Sequence, residues 1–294
     1  MIDTGPKFPG ILETIVARLK IKGIRITDIE RIIITHGHID HFGLALSIQK
    51  LAGHAMQCFI HAADLWKLSR QDIQKEFWSR EADDFITRVG IPLNKIKTIK
   101  SRFSFLKTLC DPVEDVLPME DGDEFCGNGY HLEVVHTPGH SPGACCFFES
   151  ENKILFSGDH VIKHITPNPL VELNRNQLRN PNYQSLKSYL DSLEKIMKLD
   201  VRWVFPGHGE YMNGLKDIIT SYKCHHRQRQ EKVLRAIKEK PRSVYALIDK
   251  IFPVLPDSEL FLASSDIWAH LEILLNDGQI TLKDSGPPEI YQAI

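Results

Sequence analysis

Apolar positions recur along the chain in two alternating periods. Ile11, Leu12, Ile15, Val16 and Leu19 fall at helical spacing and stop at Gly23, which predicts a helix over 8–21. A helical turn over 27–30 follows, with Thr27 placed to cap and Asp28 suited to the positive helix start. The run Ile32, Ile33, Ile34 reads as a buried strand continuing to Thr35, followed by a polar loop and a helix over 43–51 stopped by Gly53. Cys58, Phe59 and Ile60 predict a second buried strand. Over 63–87, Leu65, Leu68, Ile73, Phe77, Trp78, Phe85 and Ile86 lie among many charges and predict helix, and a more basic helix covers 93–109. Such an insertion forms either a lid over a pocket or a packing layer, and both readings stay open here. From Val116 the period becomes that of strands. Glu124-Phe125, a turn at Gly127-Asn128-Gly129 and the alternating 131–135 make one hairpin; Cys145 to Phe148 and Ile154 to Ser157 make another. Segment 165–181, with Pro167 and Pro169, reads as a loop placed for substrate contact. An amphipathic helix over 183–199 leads to a short buried strand, Trp203-Val204-Phe205. Strands alternating with helices put this part of the chain in the α/β class.

After Tyr211 the pattern turns helical, with helices expected over 215–238, 244–251 and 265–276 and a strand-like 279–283 closed by Gly286-Pro287-Pro288. The expected division is a catalytic domain over 1–222 and a smaller helical domain over 223–294.

Composition narrows the classes. In 294 residues, 42% are hydrophobic, ample for a core, and Lys+Arg 36 against Asp+Glu 38 leaves no global footprint for nucleic acid or anionic membrane. No apolar run approaches the roughly 18 residues that span a bilayer. The six cysteines show no CxxC spacing, and no charged-then-apolar leader opens the chain, so a reduced, cytoplasmic protein is expected. Cys145 and Cys146, inside a strand-like run, are read as small core residues. The expected partner is a small-molecule substrate, with nucleic acid disfavoured, no membrane role, and the oligomeric state undetermined.

The chemistry is concentrated at strand ends. His36, His38, Asp40 and His41 stand within six consecutive positions after the isoleucine run. In extended chain His36 and His38 project to one side and can reach one cation, while Asp40 and His41 diverge toward a second. The pattern then repeats. His136-Thr137-Pro138-Gly139-His140 ends the strand over 131–135, Gly158-Asp159-His160 ends the next hairpin, and Pro206-Gly207-His208-Gly209 follows Phe205. A carboxylate after a small residue at a strand end, as at Asp159, is well placed to bridge two cations.

Taken together, THGHIDH at 35–41, TPGH at 137–140, SGD at 157–159 and PGHG at 206–209 resemble the metallo-β-lactamase superfamily pattern, over Met1 to about His208. The resemblance implies an αββα sandwich with a dinuclear site at one edge. It also implies a first hairpin ahead of the Asp3-Thr4-Gly5 turn, which this chain is expected to lack because Met1 stands at that turn. One metal would be held by His36, His38 and His140, the other by Asp40, His41 and His208, with Asp159 bridging. Zinc is the expected metal, iron or manganese the alternatives; diiron flavoprotein relatives usually carry a glutamate at the place of His38. Two such cations bring the pKa of a shared water to about 7, and Asp40 would orient the resulting hydroxide and accept its proton. His136 is read as supporting the site rather than ligating, while His160 and His164 flank the pocket mouth by position and are candidates for substrate contact. The implied activity is attack of metal-bound hydroxide on an ester, thioester or lactone-like bond, as in glyoxalase II. The C-terminal helices with a two-strand wing resemble a winged helix, as in metallo-hydrolases similar to β-lactamase-like protein 2. That branch raises the alternatives of a single-strand endoribonuclease and of a non-enzymatic winged-helix interaction protein. The candidate recognition helix 265–276 contains no Lys or Arg, which favours packing or a substrate wall over nucleic-acid binding.

Overall fold

The computed structural model describes residues 1–69, 80–113, 115–127, 129–174, 178, 180 and 182–294. Its first sheet is parallel, in the order β1 (Arg31–Ile33), β2 (Gln57–His61), β3 (Val116–Met119), and Ile2 bridges in parallel to Ile33. Its second sheet runs in chain order through β4 (Glu124–Gly127), β5 (Tyr130–His136), β6 (Cys145–Glu149), β7 (Ile154–Gly158) and β8 (Trp203–Pro206). The first four of these are antiparallel neighbours, and β8 is parallel to β7.

Because side chains alternate across a strand, each sheet feeds two cores. Ile33 and Met119 from the first sheet meet Phe125, Leu132, Val134, Cys145 and Phe147 from the second between the sheets. Ile32, Ile34, Cys58 and Ile60 face outward, against α1 (Ile11–Ile21), α2 (Ile39–Phe42) and α3 (Ala45–Ala52). On the far side, Val135, Cys146, Leu155 and Val204 pack under α6 (Ser185–Ile196) and the first half of α7 (Leu215–Glu239). The layers are therefore helix, sheet, sheet, helix, the expected αββα sandwich, and Cys145 and Cys146 are core residues, one in each of the second sheet's cores.

A further core joins α4 (Arg80–Val89) and α5 (Leu93–Lys107) to the second half of α7, α8 (Val244–Ile251), α9 (Leu260–Asn276) and the hairpin β9 (Ile280–Asp284), β10 (Ile290–Ala293). The described helices of the insertion thus form a packing layer: Phe85, Ile86, Val89 and Ile99 bury against Val233, Ile237, Leu247 and Leu271. Of the helix expected over 63–87, Leu65–Leu68 is a single 3-10 turn, and Ile73, Phe77 and Trp78 lie outside the described residues. Helix α7 runs unbroken across 222/223. It gives Leu215, Ile219 and Tyr222 to the sandwich core and Val233, Ala236 and Ile237 to the C-terminal one.

Helix α1 starts three residues later and helix α9 five residues earlier than expected, each for a local reason. Helix α1 begins at Ile11 because Gly10 takes a left-handed conformation, φ 84°. Helix α9 begins at Leu260 rather than at 265; Leu260, Phe261 and all of 263–271 are buried, so no polar stripe marks the start. Among the described residues no helix is long and apolar enough to cross a membrane.

Candidate metal centre

The ends of β1, β5, β7 and β8 converge at one edge of the sandwich. One ligand atom each of His36, His38 and His140 lies within 4.8 Å of the other two, and the same holds for Asp40, His41 and His208, and for His36, His41 and Asp159. Asp159 stands between the groups: Oδ1 is 3.3 Å from His41 Nε2, and Oδ2 is 3.5 Å from His208 Nε2 and 3.6 Å from His140 Nε2. Asp40 Oδ2 lies 3.2 Å from His208 Nε2, and these two side chains are half-exposed, whereas His36 and His41 are buried. They form the mouth. The approach of β8 to β7 demands Gly207, where a Cβ would sit 2.6 Å from Asp159 Oδ1 and 2.7 Å from the His41 ring. Every residue named from the sequence as a ligand is therefore in this cluster.

The orienting residues come from farther away. Asp3 accepts hydrogen bonds from the Thr35 N–H and hydroxyl, each at 2.8 Å, and lies 2.8 Å from His41 Nδ1. Asp64, fully buried, accepts from Gly37 N–H at 2.9 Å, the Ser141 hydroxyl at 2.6 Å and Gly143 N–H at 3.0 Å, so one carboxylate ties the 36–41 loop to the 137–143 loop. Its charge is balanced by Lys67 at 3.0 Å, which also reaches Glu172 at 3.0 Å. His140 Nδ1–H donates to the Asn168 carbonyl at 2.9 Å. Sequence reasoning missed Asp3, Asp64 and Asn168 in these roles. The strand-end rule that singles out Asp159 applies equally to Asp64, three residues beyond β2; a backbone carbonyl such as that of Asn168 leaves no signal.

The remaining histidines separate cleanly. His136 Nε2 bonds the Pro142 carbonyl at 2.9 Å and its ring stacks on His61 at 3.8 Å, so it supports the 137–143 loop. His160 is 1% exposed and lies against the Tyr189 ring at 4.9 Å, whereas His164 is exposed. A further group, Glu124, Cys126 and His131, is exposed on the β4–β5 hairpin.

The electrostatics of the cluster suit a cation. Among the described residues, His41 Nε2, His140 Nε2 and Asp159 Oδ1 are buried without a well-aligned hydrogen bond, the His41 Nε2–Asp159 Oδ1 approach of 3.3 Å being an ion pair only. Such an arrangement is costly unless something else fills the space between them. Burial, then neighbouring positive charge, lowers His36 well below the usual imidazole range and His38 to about 3, and burial lowers His140; all three are neutral donors at pH 7. Burial also lowers His41, but the Asp159 and Asp3 carboxylates outweigh it and raise it to about 10; Asp159 and Asp40 raise His208 to about 10. Burial pushes Asp159 up, yet His208 and His41 hold it far below the usual carboxylate range. Protons on His41 and His208 thus stand where a cation's charge would.

The sequence profile of the Metallo-beta-lactamase superfamily matches residues 1–208. The chain belongs to this superfamily. Its members are metal-dependent hydrolases that typically bind divalent metals. The chain is 26% identical over 286 residues to the probable metallo-hydrolase YqjP of Bacillus subtilis, covering 96% of this chain and 86% of that protein. It is 23% identical over 281 residues to a beta-lactamase-like protein 2 homolog of Caenorhabditis elegans, covering 95% and 76%. A shorter stretch of 122 residues, 42% of this chain and 34% of the relative, is 29% identical to an atrochrysone carboxyl ACP thioesterase of Cryptosporiopsis sp.. In fold, the chain superposes on a metallo-beta-lactamase family protein from Thermus thermophilus with a TM-score of 0.83 at 24% identity, covering 100% of this chain and 89% of that one. The C-terminal helices are included in that match.

Proposed function

We propose that this superfamily member is a dinuclear metal-dependent hydrolase acting on an ester, thioester or lactone-like bond of a small molecule. The observation that carries the reading is the position of Asp159, whose carboxylate lies within 3.6 Å of histidine nitrogens in both three-donor groups. His36, His38 and His140 would hold one cation, Asp40, His41 and His208 the other, and Asp159 would be shared. An all-imidazole and carboxylate donor set fits zinc, with iron or manganese as alternatives. Two bound cations would supply Lewis acidity toward a carbonyl and a water that ionises near neutral pH.

The chain's own residues set the rest. Burial raises Asp40, but the His208 bond and the His41 charge lower it to about 2, so it stays ionised at neutral pH. Such a carboxylate accepts a hydrogen bond and orients a water at the mouth better than it stores a proton. Asp3 fixes the His41 ring, and Asp64 keeps the two ligand loops in register. Similarity to an acyl carrier protein thioesterase supports a carbonyl substrate. The near-neutral charge balance and the absence of Lys and Arg from α9 weigh against RNA or DNA.

The test is a panel of thioesters, lactones and single-stranded RNA offered to zinc-loaded protein. Hydrolysis within the carbonyl panel is expected, with His36→Ala and Asp159→Ala each losing metal and activity and His160→Ala keeping its metal. Cleavage of RNA with the carbonyl panel untouched would move the chain to the endoribonuclease reading, and DNA binding with no hydrolysis at saturating metal to the interaction-protein reading.

A further inference from the structure

The loop between β7 and α6 has contacts on two sides. Toward the metal centre, the Asn168 carbonyl accepts the Nδ1–H of His140 at 2.9 Å, which leaves Nε2 as the ligating nitrogen, aimed at the space beside Asp159. Toward the C-terminal unit, the Asn168 carboxamide donates to the Leu262 carbonyl in the first turn of α9 at 3.0 Å. Three residues on, Val171 N–H donates to the Ser265 hydroxyl of the same helix at 2.5 Å, and Ser265 is fully buried. Val171 and Leu173 pack against the C-terminal core, and Glu172 pairs with Lys67 beneath the 36–41 loop. At the start of the loop, the Tyr222 hydroxyl on α7 accepts from Ile162 N–H at 2.9 Å and lies against the Ile162 and Ile165 carbonyls. The loop is pinned from α7 and α9, and Asn168 is bonded both to a histidine of the centre and to the C-terminal helix.

From this we infer that Asn168 is a positioning residue through which α9 sets the orientation of His140, and so sets cation affinity in the His36, His38, His140 group selectively. The physical reason is that an imidazole ligand has two free torsions. Its second nitrogen must be held by an acceptor that is itself held, and outer partners of this kind are worth about 10- to 100-fold in metal affinity. Asp3 does this for His41 with a side chain; for His140 the acceptor is a backbone carbonyl on a loop, which is only as rigid as the loop's anchors. The C-terminal helix is thereby an outer wall of the centre. The inference rests on the dinuclear reading above.

The experiment compares Asn168→Ala and the isosteric Asn168→Asp, which cannot donate to a carbonyl when ionised, with Asn276→Ala. Asn276 also joins α9 to the sandwich, through Gln184 Oε1 at 2.7 Å, but is remote from His140 in its contacts. Zinc affinity is read by competition with a chromophoric chelator, and the Nδ1–H of His140 by its nitrogen-15 shift and exchange rate. Both Asn168 variants are expected to lose about 10-fold in affinity for one of two cations and to exchange the His140 proton faster, with the other cation unchanged and Asn276→Ala like the parent. Parental affinity for both cations in the Asn168 variants, or equal weakening in Asn276→Ala, overturns the inference while leaving the dinuclear reading intact. Failure of the parent itself to bind two cations removes both.

Discussion

Histidines in this centre fall into two protonation classes, and that difference has a measurable consequence. His36, His38 and His140 are already neutral at pH 7, while His41 and His208, raised to about 10, carry protons that a cation must displace. Binding at the second group therefore strengthens as pH rises toward 10 and is lost on acidification, because each proton released is favoured by a lower proton concentration. At pH 7.5 the first equivalent of zinc is expected to bind without proton release and the second to release about two protons. Calorimetry in buffers of different ionisation enthalpy reads this directly; equal release over both equivalents contradicts the two classes. Asp64 makes a second residue-scale prediction. It is a buried anion with four donors, so Asp64→Ala leaves Gly37 and Gly143 N–H groups unpaired and Lys67 with one carboxylate instead of two. A loss of about 3 kcal/mol in denaturant unfolding is expected. A loss under about 0.5 kcal/mol, the scale of an ordinary surface substitution, would mean the loops are held otherwise.

At the scale of elements, the strands bring the candidate ligands together and the loops aim them. β1, β5, β7 and β8 each end at the same edge; that each strand ends in a polar, glycine-containing turn was legible in the sequence because it is a local signal, whereas the meeting of the four ends is tertiary. The extent of α9 was not legible, since a helix buried on nearly every side has no amphipathic period to read. Its burial creates a further expectation. His226 on α7 lies 5.7 Å from both the Tyr189 ring on α6 and the His270 ring on α9, and burial lowers it to about 3. The unfolded chain takes up a proton near pH 6.5 and the native state does not, so this part of the stability is complete above pH 6.5. It falls away as the pH drops toward 3, by at most about 1.4 kcal/mol per unit. His226→Leu is expected to flatten the fall in thermal midpoint between pH 6.5 and 4. A slope identical to the parent's would place the acid sensitivity elsewhere.

At the scale of the whole molecule, one helix serves two cores. Because α7 gives its first half to the sandwich and its second half to the C-terminal unit, a chain ending at residue 222 cuts a helix and strips the partners from Phe85, Ile86, Val89 and Ile99. Such a fragment is expected to lack a cooperative thermal transition and to bind a hydrophobic dye; a sharp transition would show the sandwich to be self-sufficient. Local pattern alone was enough for the alternation of strands and helices and for the strand-end placement of His36, His38, Asp40, His41, His140, Asp159 and His208, because those signals act within a few residues. The αββα layering and the grouping of these candidate ligands were implied by the resemblance to the superfamily. Only the folded chain could pair Asp64 with Gly143 across 79 positions, or Asn168 with Leu262 across 94, and make the inserted helices part of the C-terminal core. Those contacts depend on backbone acceptors and on tertiary burial, neither of which is written in the identity of neighbouring residues.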